Sequence, residues 1–189
     1  NDVVIQERLA TQYAALKKAD ALKAFAEKLV GLPSPDSKAL GGLILLRLEP
    51  SQGEEVLDAL YAASPSEPAV LRAQLRKSII TKNNPDIVRF GKSLAAIDPN
   101  DIGALGAILQ ATSNMNAESE GIQYLKEQVV KSANSWGPEY VLAVNDLRNR
   151  SFQSARKHIS LAITKSGYNA SATAMYGQIY LASAAFEAK

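Results

Sequence analysis

The chain has 189 residues, 47% hydrophobic and 21% charged, with a formal net charge of +2, enough for one large domain or a short repeat array. Scattered Lys and Arg and only 6% aromatics argue against a nucleic-acid binder, which shows a clustered basic face with base-stacking aromatics. The absence of cysteine excludes disulfides, thiolate catalysis and cysteine-based zinc sites, and no apolar run approaches the roughly 20 residues that span a bilayer.

Apolar residues at helical spacing predict helices throughout, in chain order. The first covers Val3 to Lys17, with Val4, Leu9, Tyr13 and Leu16 on its stripe, and the second Ala21 to Val30, with Leu22, Phe25, Ala26 and Leu29. Asp36 to Arg47 and Glu54 to Ala62 follow, then Ala69 to Thr81 and Ile87 to Ile97, the latter started by Asn84-Pro85-Asp86. Ile102 to Thr112 precedes Glu118 to Lys131, Glu139 to Arg148 precedes Phe152 to Thr164, and Ala172 to Phe186 closes the series. Gly and Pro fall between these segments and no period-two alternation survives, so no strand is expected. Gly103 and Gly106 lie inside a predicted helix, where each costs roughly 1 kcal/mol against alanine; close packing there is the expected reason. The chain starts at Asn1 without a Met or a recognisable signal peptide, which reads as a processed chain or an excised fragment of a longer array.

Proline gives the period. Ser64-Pro65 and Asp98-Pro99 each end one apolar segment and precede another, 34 residues apart, the length of a helix-turn-helix repeat. Marching that spacing without gaps starts repeats near Ser34, Pro68, Ile102, Trp136 and Ala170, with one more at the N-terminus. The eighth positions are then Glu7, Gly41, Leu75, Leu109, Ala143 and Gly177, and the twentieth Ala19, Gly53, Ile87, Gly121 and Ala155. The twenty-seventh are Ala26, Leu60, Leu94, Gln128 and Ala162, and the thirty-second Gly31, Pro65, Pro99, Ala133 and Gly167. Small residues at the eighth and twentieth positions, alanine at the twenty-seventh and a breaker near the thirty-second resemble the tetratricopeptide repeat (TPR) family, although Glu7, Leu75, Leu109, Ile87 and Gln128 make the array degenerate. The small side chains let paired helices approach closely.

The resemblance implies an all-α, right-handed α-solenoid of about five TPR-like hairpins plus a final unpaired helix, forming a single repeat domain over 1–189. Such arrays bind protein partners on a concave face. Carrying over the family's groove positions (two, five, nine, twelve and thirteen of each first helix) gives Arg8, Lys38, Arg72, Arg76 and Arg148 as basic members and Gln110, Asn114, Tyr140 and Gln178 as polar ones. Leu45, Leu46, Ile79 and Ile80 add apolar contacts. None of these positions is acidic, so an acidic peptide is the expected ligand, with Arg72 and Arg76 gripping a carboxylate. The lysine-asparagine clamp of chaperone-binding relatives is absent, because Gly42 follows Lys38 where asparagine belongs.

Chemistry finds little foothold. His158, the only histidine, has Arg156 and Lys157 beside it and reads as a helix-surface residue. Glu118 and Glu120 suit a helix start, Gly103-Ala104-Leu105-Gly106 lacks a following Lys-Ser or Lys-Thr, and Asn149-Arg150-Ser151 and Asn169-Ala170-Ser171 are short enough to arise by chance. No catalytic residue, cofactor site or metal site is therefore expected. The function expected from the resemblance is a non-catalytic scaffold or adaptor in bacterial cell-envelope assembly or export, which favours a periplasmic over a cytoplasmic home. The alternatives are a structural spacer that self-associates through its last helix, with Ala174, Tyr176, Ile179, Tyr180 and Leu181 as the contact, and an accessory domain of a larger enzyme.

Overall fold

The computed structural model describes residues 2–187. Among them are eleven α-helices and no strand. They are α1 (Asp2–Ala15), α2 (Ala19–Val30), α3 (Pro35–Leu48), α4 (Pro50–Ala63), α5 (Pro68–Ile80) and α6 (Asn84–Ile97), then α7 (Ile102–Asn114), α8 (Glu118–Lys131), α9 (Gly137–Arg148), α10 (Phe152–Ser166) and α11 (Ala170–Glu187). Every helix expected from the sequence is present, and the fold is an all-α solenoid of helical hairpins.

Local chemistry sets the boundaries. Proline occupies the first turn of α3, α4, α5 and α9, where its fixed φ suits the helix and its missing N–H costs nothing. Asp101 caps α7 by accepting from the Ala104 N–H at 2.9 Å. The first helix of most hairpins ends the same way. Lys17, Lys82, Asn116 and Arg150 lie two residues past α1, α5, α7 and α9, with φ between 53° and 59°. The α3–α4 turn departs from this pattern, because Glu49 alone separates Leu48 from Pro50. Proline cannot continue α3 and restarts the chain at once as α4, four residues before the expected Glu54.

The helices group into two compact units divided between Asp86 and Ile87. In the first unit, α3 packs against α2, α4, α5 and α1, and Ala39, Leu46, Leu57 and Ala73 form a core flanked by Leu43 and Leu60. In the second, Ala95, Leu105, Leu109, Leu125, Val141 and Leu142 form one core. Ala143, Ala155, Ile159, Ala162, Ala172 and Ile179 form another.

The small-residue columns mark helix crossings. A Cβ on Gly53 would lie 2.1 Å from the Leu46 backbone nitrogen, and one on Gly41 would lie 2.7 Å from the Ala26 carbonyl oxygen. Ala26, Ala143, Ala155 and Ala162 are fully buried. Gly103 and Gly106 do not serve close packing: a Cβ on Gly106 would meet nothing within 4 Å, and one on Gly103 only the Asp101 side chain. The last helix is also less bare than expected. α11 packs on α10 and α9, burying Ile179 completely, while Tyr176 is half-buried and its ring lies tilted against Tyr180 with centroids 4.3 Å apart.

Candidate partner-binding groove

In the first unit α1, α3 and α5 begin at Asp2, Pro35 and Pro68, spaced 33 residues apart rather than 34. Their matching faces line a groove of about 450 Å³. α1 contributes Glu7, Ala10 and Thr11; α3 contributes Leu40, Leu43, Ile44 and Arg47; α5 contributes Arg76, Ile79 and Ile80. A narrower hollow of about 110 Å³ continues between the same helices, adding Asp36, Ala39, Ala69, Arg72 and Ala73. The groove is largely apolar: Leu40, Leu43 and Ile44 are half-buried, while Ile79 and Ile80 stay 48% and 40% exposed. Arg76 Nη1 lies 4.0 Å from Glu7 Oε1 with both side chains about half exposed, a geometry that contributes little to stability and leaves both groups accessible to a ligand. Ser37 Oγ donates to Gln6 Oε1 at 3.0 Å and ties α1 to α3.

The shorter repeat moves several expected groove residues. Arg72, Arg76, Ile79 and Ile80 line the groove, because the counting frame begins at Pro68, the true start of α5. On α3 the frame starts one residue early, at Ser34, which is the N-cap; on α1 it starts two early. Arg8 is exposed and Lys38 half-buried, and neither lines the groove. Leu45 and Leu46, expected as exposed contacts, are core residues at 1% and 3% exposure. The expected single sign of charge also fails, since Glu7 and Asp36 share the surface with Arg47, Arg72 and Arg76. Arg47 was missed for the same one-residue slip, and Ser34-Pro35 as an N-cap and N1 pair was the signal that fixes it.

The remaining expected residues lie in the second unit. Gln110 Nε2 donates to Asn114 Oδ1 at 3.0 Å, one turn along the exposed face of α7. Tyr140 is half-buried, edge-on to Trp136 at 5.8 Å, and packs against both cores. Arg148 is exposed in the last turn of α9 and Gln178 is exposed on α11.

The second unit also holds a polar cluster that the sequence reading missed. Glu139, in the first turn of α9, is 2% exposed. Its Oε2 is 2.6 Å from His158 Nδ1 and its Oε1 accepts from Lys165 Nζ at 3.1 Å. The other ring nitrogen of His158 faces Asp146 Oδ2 at 3.9 Å, and Asp146 accepts from Ser154 Oγ at 2.5 Å. His158 is therefore no free surface histidine; it sits 21% exposed between two carboxylates of α9. Burial pushes the Glu139 carboxyl up, but hydrogen bonds and charge from His158 and Lys165 outweigh it and hold the group below its usual range. Ser154 donates to Asp146 rather than to the imidazole, so no nucleophile–base pair is assembled; the cluster pins α10 to α9. Among the described residues no group of His, Asp and Glu could hold a metal ion, and no helix is long and apolar enough to cross a membrane.

These hairpins, with small residues at their crossings, are the TPR-like helical-repeat fold. No family model matches the sequence, and no curated protein sequence matches it. Solved structures do match. PilF of Pseudomonas aeruginosa superposes with a TM-score of 0.58 at 14% identity, over 97% of this chain and 88% of PilF. TTC0263, a thermophilic TPR protein of Thermus thermophilus, gives 0.56 at 13% identity, over 95% of this chain and 99% of its own. The RS-1 ArsTM double mutant of MamA gives 0.53 at 12% identity, over 88% and 95%.

Proposed function

We propose that this chain is a non-catalytic scaffold that holds a segment of a partner protein in the groove between α1, α3 and α5. The observation that carries the reading is the groove itself. It offers an apolar floor of Leu40, Leu43 and Ile44, two half-exposed isoleucines, and arginines at its rim. Burying Ile79 and Ile80 on binding removes apolar surface from water, and Arg47 and Arg76 can orient a carboxylate. The preferred ligand is accordingly a short segment, extended or helical, with apolar anchors beside an acidic residue. Glu7 and Asp36 select against a segment that is acidic throughout. The setting we favour is bacterial cell-envelope assembly or export, supported by the resemblance of the repeats and by a cysteine-free chain that an oxidising compartment leaves unaltered.

Panning a random peptide library against the folded chain tests this. Enriched peptides are then titrated by fluorescence polarisation against the parent, an Ile79→Asp/Ile80→Asp variant and an Arg76→Glu variant. The expected result is apolar peptides with an acidic residue, losing at least about tenfold in affinity, near 1.4 kcal/mol, to both variants. Peptides that bind all three proteins equally would remove the groove from consideration.

A further inference from the structure

The groove carries its charges in order along the helix axes. Matching positions of α1, α3 and α5 line it, from the second residue of each (Val3, Asp36, Ala69) in the narrow hollow to the thirteenth (Arg47, Ile80) in the wide one. Asp36 stands at the narrow end and Arg47 at the wide end, both exposed. The charges between them are already engaged: Glu7 faces Arg76 at 4.0 Å, and Arg72 has a partner of its own. Arg47 and Asp36 have no ion-pair partner among the described residues. Ile44, Ile79 and Ile80 share the wide end with Arg47. A carboxylate bound among them is partly withdrawn from water, which strengthens its attraction to the guanidinium.

We propose, building on the groove reading above, that the ligand is an extended, dipolar segment. Its carboxylate pairs with Arg47, its cationic side chain pairs with Asp36, and apolar side chains cover the floor between them. Asp36 and Arg47 are 11 residues apart on α3, about 16 Å at the rise of a helix. An extended ligand advances about 3.3 Å per residue, and its alternate side chains point the same way. Acid and base therefore belong four or six residues apart, with apolar residues at the alternate positions between. The narrow hollow, at about 110 Å³, admits such a segment but not a helix, which is about 10–12 Å across with its side chains. A helical ligand would also have to space the two charges by as many residues as α3 does. Arg76 acts differently from Arg47, because it neutralises Glu7, and its reversal leaves two carboxylates facing each other. A segment with charges of one sign meets a like charge at one end of the groove, so the order of charges selects the partner.

Random linear peptides are panned against the folded parent, and the tightest binder is titrated by fluorescence polarisation. Its acid-to-Lys and base-to-Glu derivatives are titrated beside it, against the parent, Arg47→Glu, Asp36→Lys and Arg76→Glu, each with a parent-like melting curve. Acid and base are expected four or six residues apart. The acid-to-Lys peptide is expected to lose about tenfold on the parent and to recover on Arg47→Glu but not on Arg76→Glu. The base-to-Glu peptide is expected to recover on Asp36→Lys alone. Binding that Ile79→Asp/Ile80→Asp abolishes, with no rescue by Arg47→Glu or Asp36→Lys, would overturn this assignment and leave the groove reading standing. Binding that Ile79→Asp/Ile80→Asp leaves intact would overturn both. Charges spaced by about three helical turns, the spacing on α3 itself, would overturn the extended form.

Discussion

Replacing Glu139 by glutamine keeps the shape of the buried side chain and removes its charge. Breaking a fully buried ion pair by deleting one member costs about 3–5 kcal/mol. Here His158 and Lys165 remain 21% and 20% exposed, so water relieves part of that cost. The glutamine retains one acceptor, so one charge-assisted hydrogen bond is lost outright, at about 1.5–3 kcal/mol. The expected destabilisation is therefore about 2–3 kcal/mol, confined to the second unit. Trp136, the only tryptophan, is the N-cap residue of α9, one turn before Glu139, so its fluorescence during urea unfolding reports on the affected region. Glu127→Gln, at an exposed position on α8, serves as control. The pH dependence gives a second check. A carboxyl whose folded pKa is depressed contributes stability above its unfolded pKa and loses it as pH falls through the folded value. The gap between parent and Glu139→Gln should be full above the ordinary value of 4.5 and close in more acidic solution. A Trp136-monitored stability changed by less than about 0.5 kcal/mol, the usual range for surface substitutions, would refute the assignment of Glu139 as the pin between α9 and α10.

Three glycine-to-alanine changes should rank by what the new methyl meets. Gly53→Ala drives it into the Leu46 backbone at 2.1 Å and should cost about 3 kcal/mol or more. Gly121→Ala meets the Thr112 hydroxyl, a side chain that can turn, and should cost less; Gly106→Ala meets nothing and should gain about 0.5–1 kcal/mol from helix propensity, all read by thermal melts. Asn100 Oδ1 accepts from the Trp136 and Gly137 N–H groups at 2.8 and 3.0 Å. Asn100→Ala should cost about 1–3 kcal/mol and shift Trp136 emission. Lys82→Gly, at φ 56°, should stabilise the α5–α6 turn by about 0.5–1 kcal/mol, strain relief exceeding the added unfolded-state entropy, measured by urea midpoint.

The fold was legible because its signals are local and redundant. Helical periodicity, prolines in first turns and small residues at crossings all point to the same eleven helices. The groove was only half legible, because a fixed 34-residue step cannot register the single-residue α3–α4 connector. One residue is about 100° around a helix, enough to exchange the groove-lining Leu43 and Arg47 for Gly42 and the buried Leu46. The Glu139 cluster was invisible for a different reason. Its members are separated by 19 and 26 residues, on helices whose rotation no sequence pattern specifies, and no acid lies within one helical turn of His158 in sequence to signal the pairing.

The two polar features also divide the molecule by purpose. Buried Glu139 is held at both oxygens by the partly exposed His158 and Lys165, and a network whose members are all paired presents little to a ligand. Arg76 and Glu7 face each other at 4.0 Å across open solvent, where an ion pair contributes little and either partner can be recruited at small cost. The same residue types therefore rigidify the α9–α10 hairpin and leave the α1–α3–α5 groove adaptable. That contrast is why substitutions in the first cluster should register in unfolding, and substitutions in the second in binding alone.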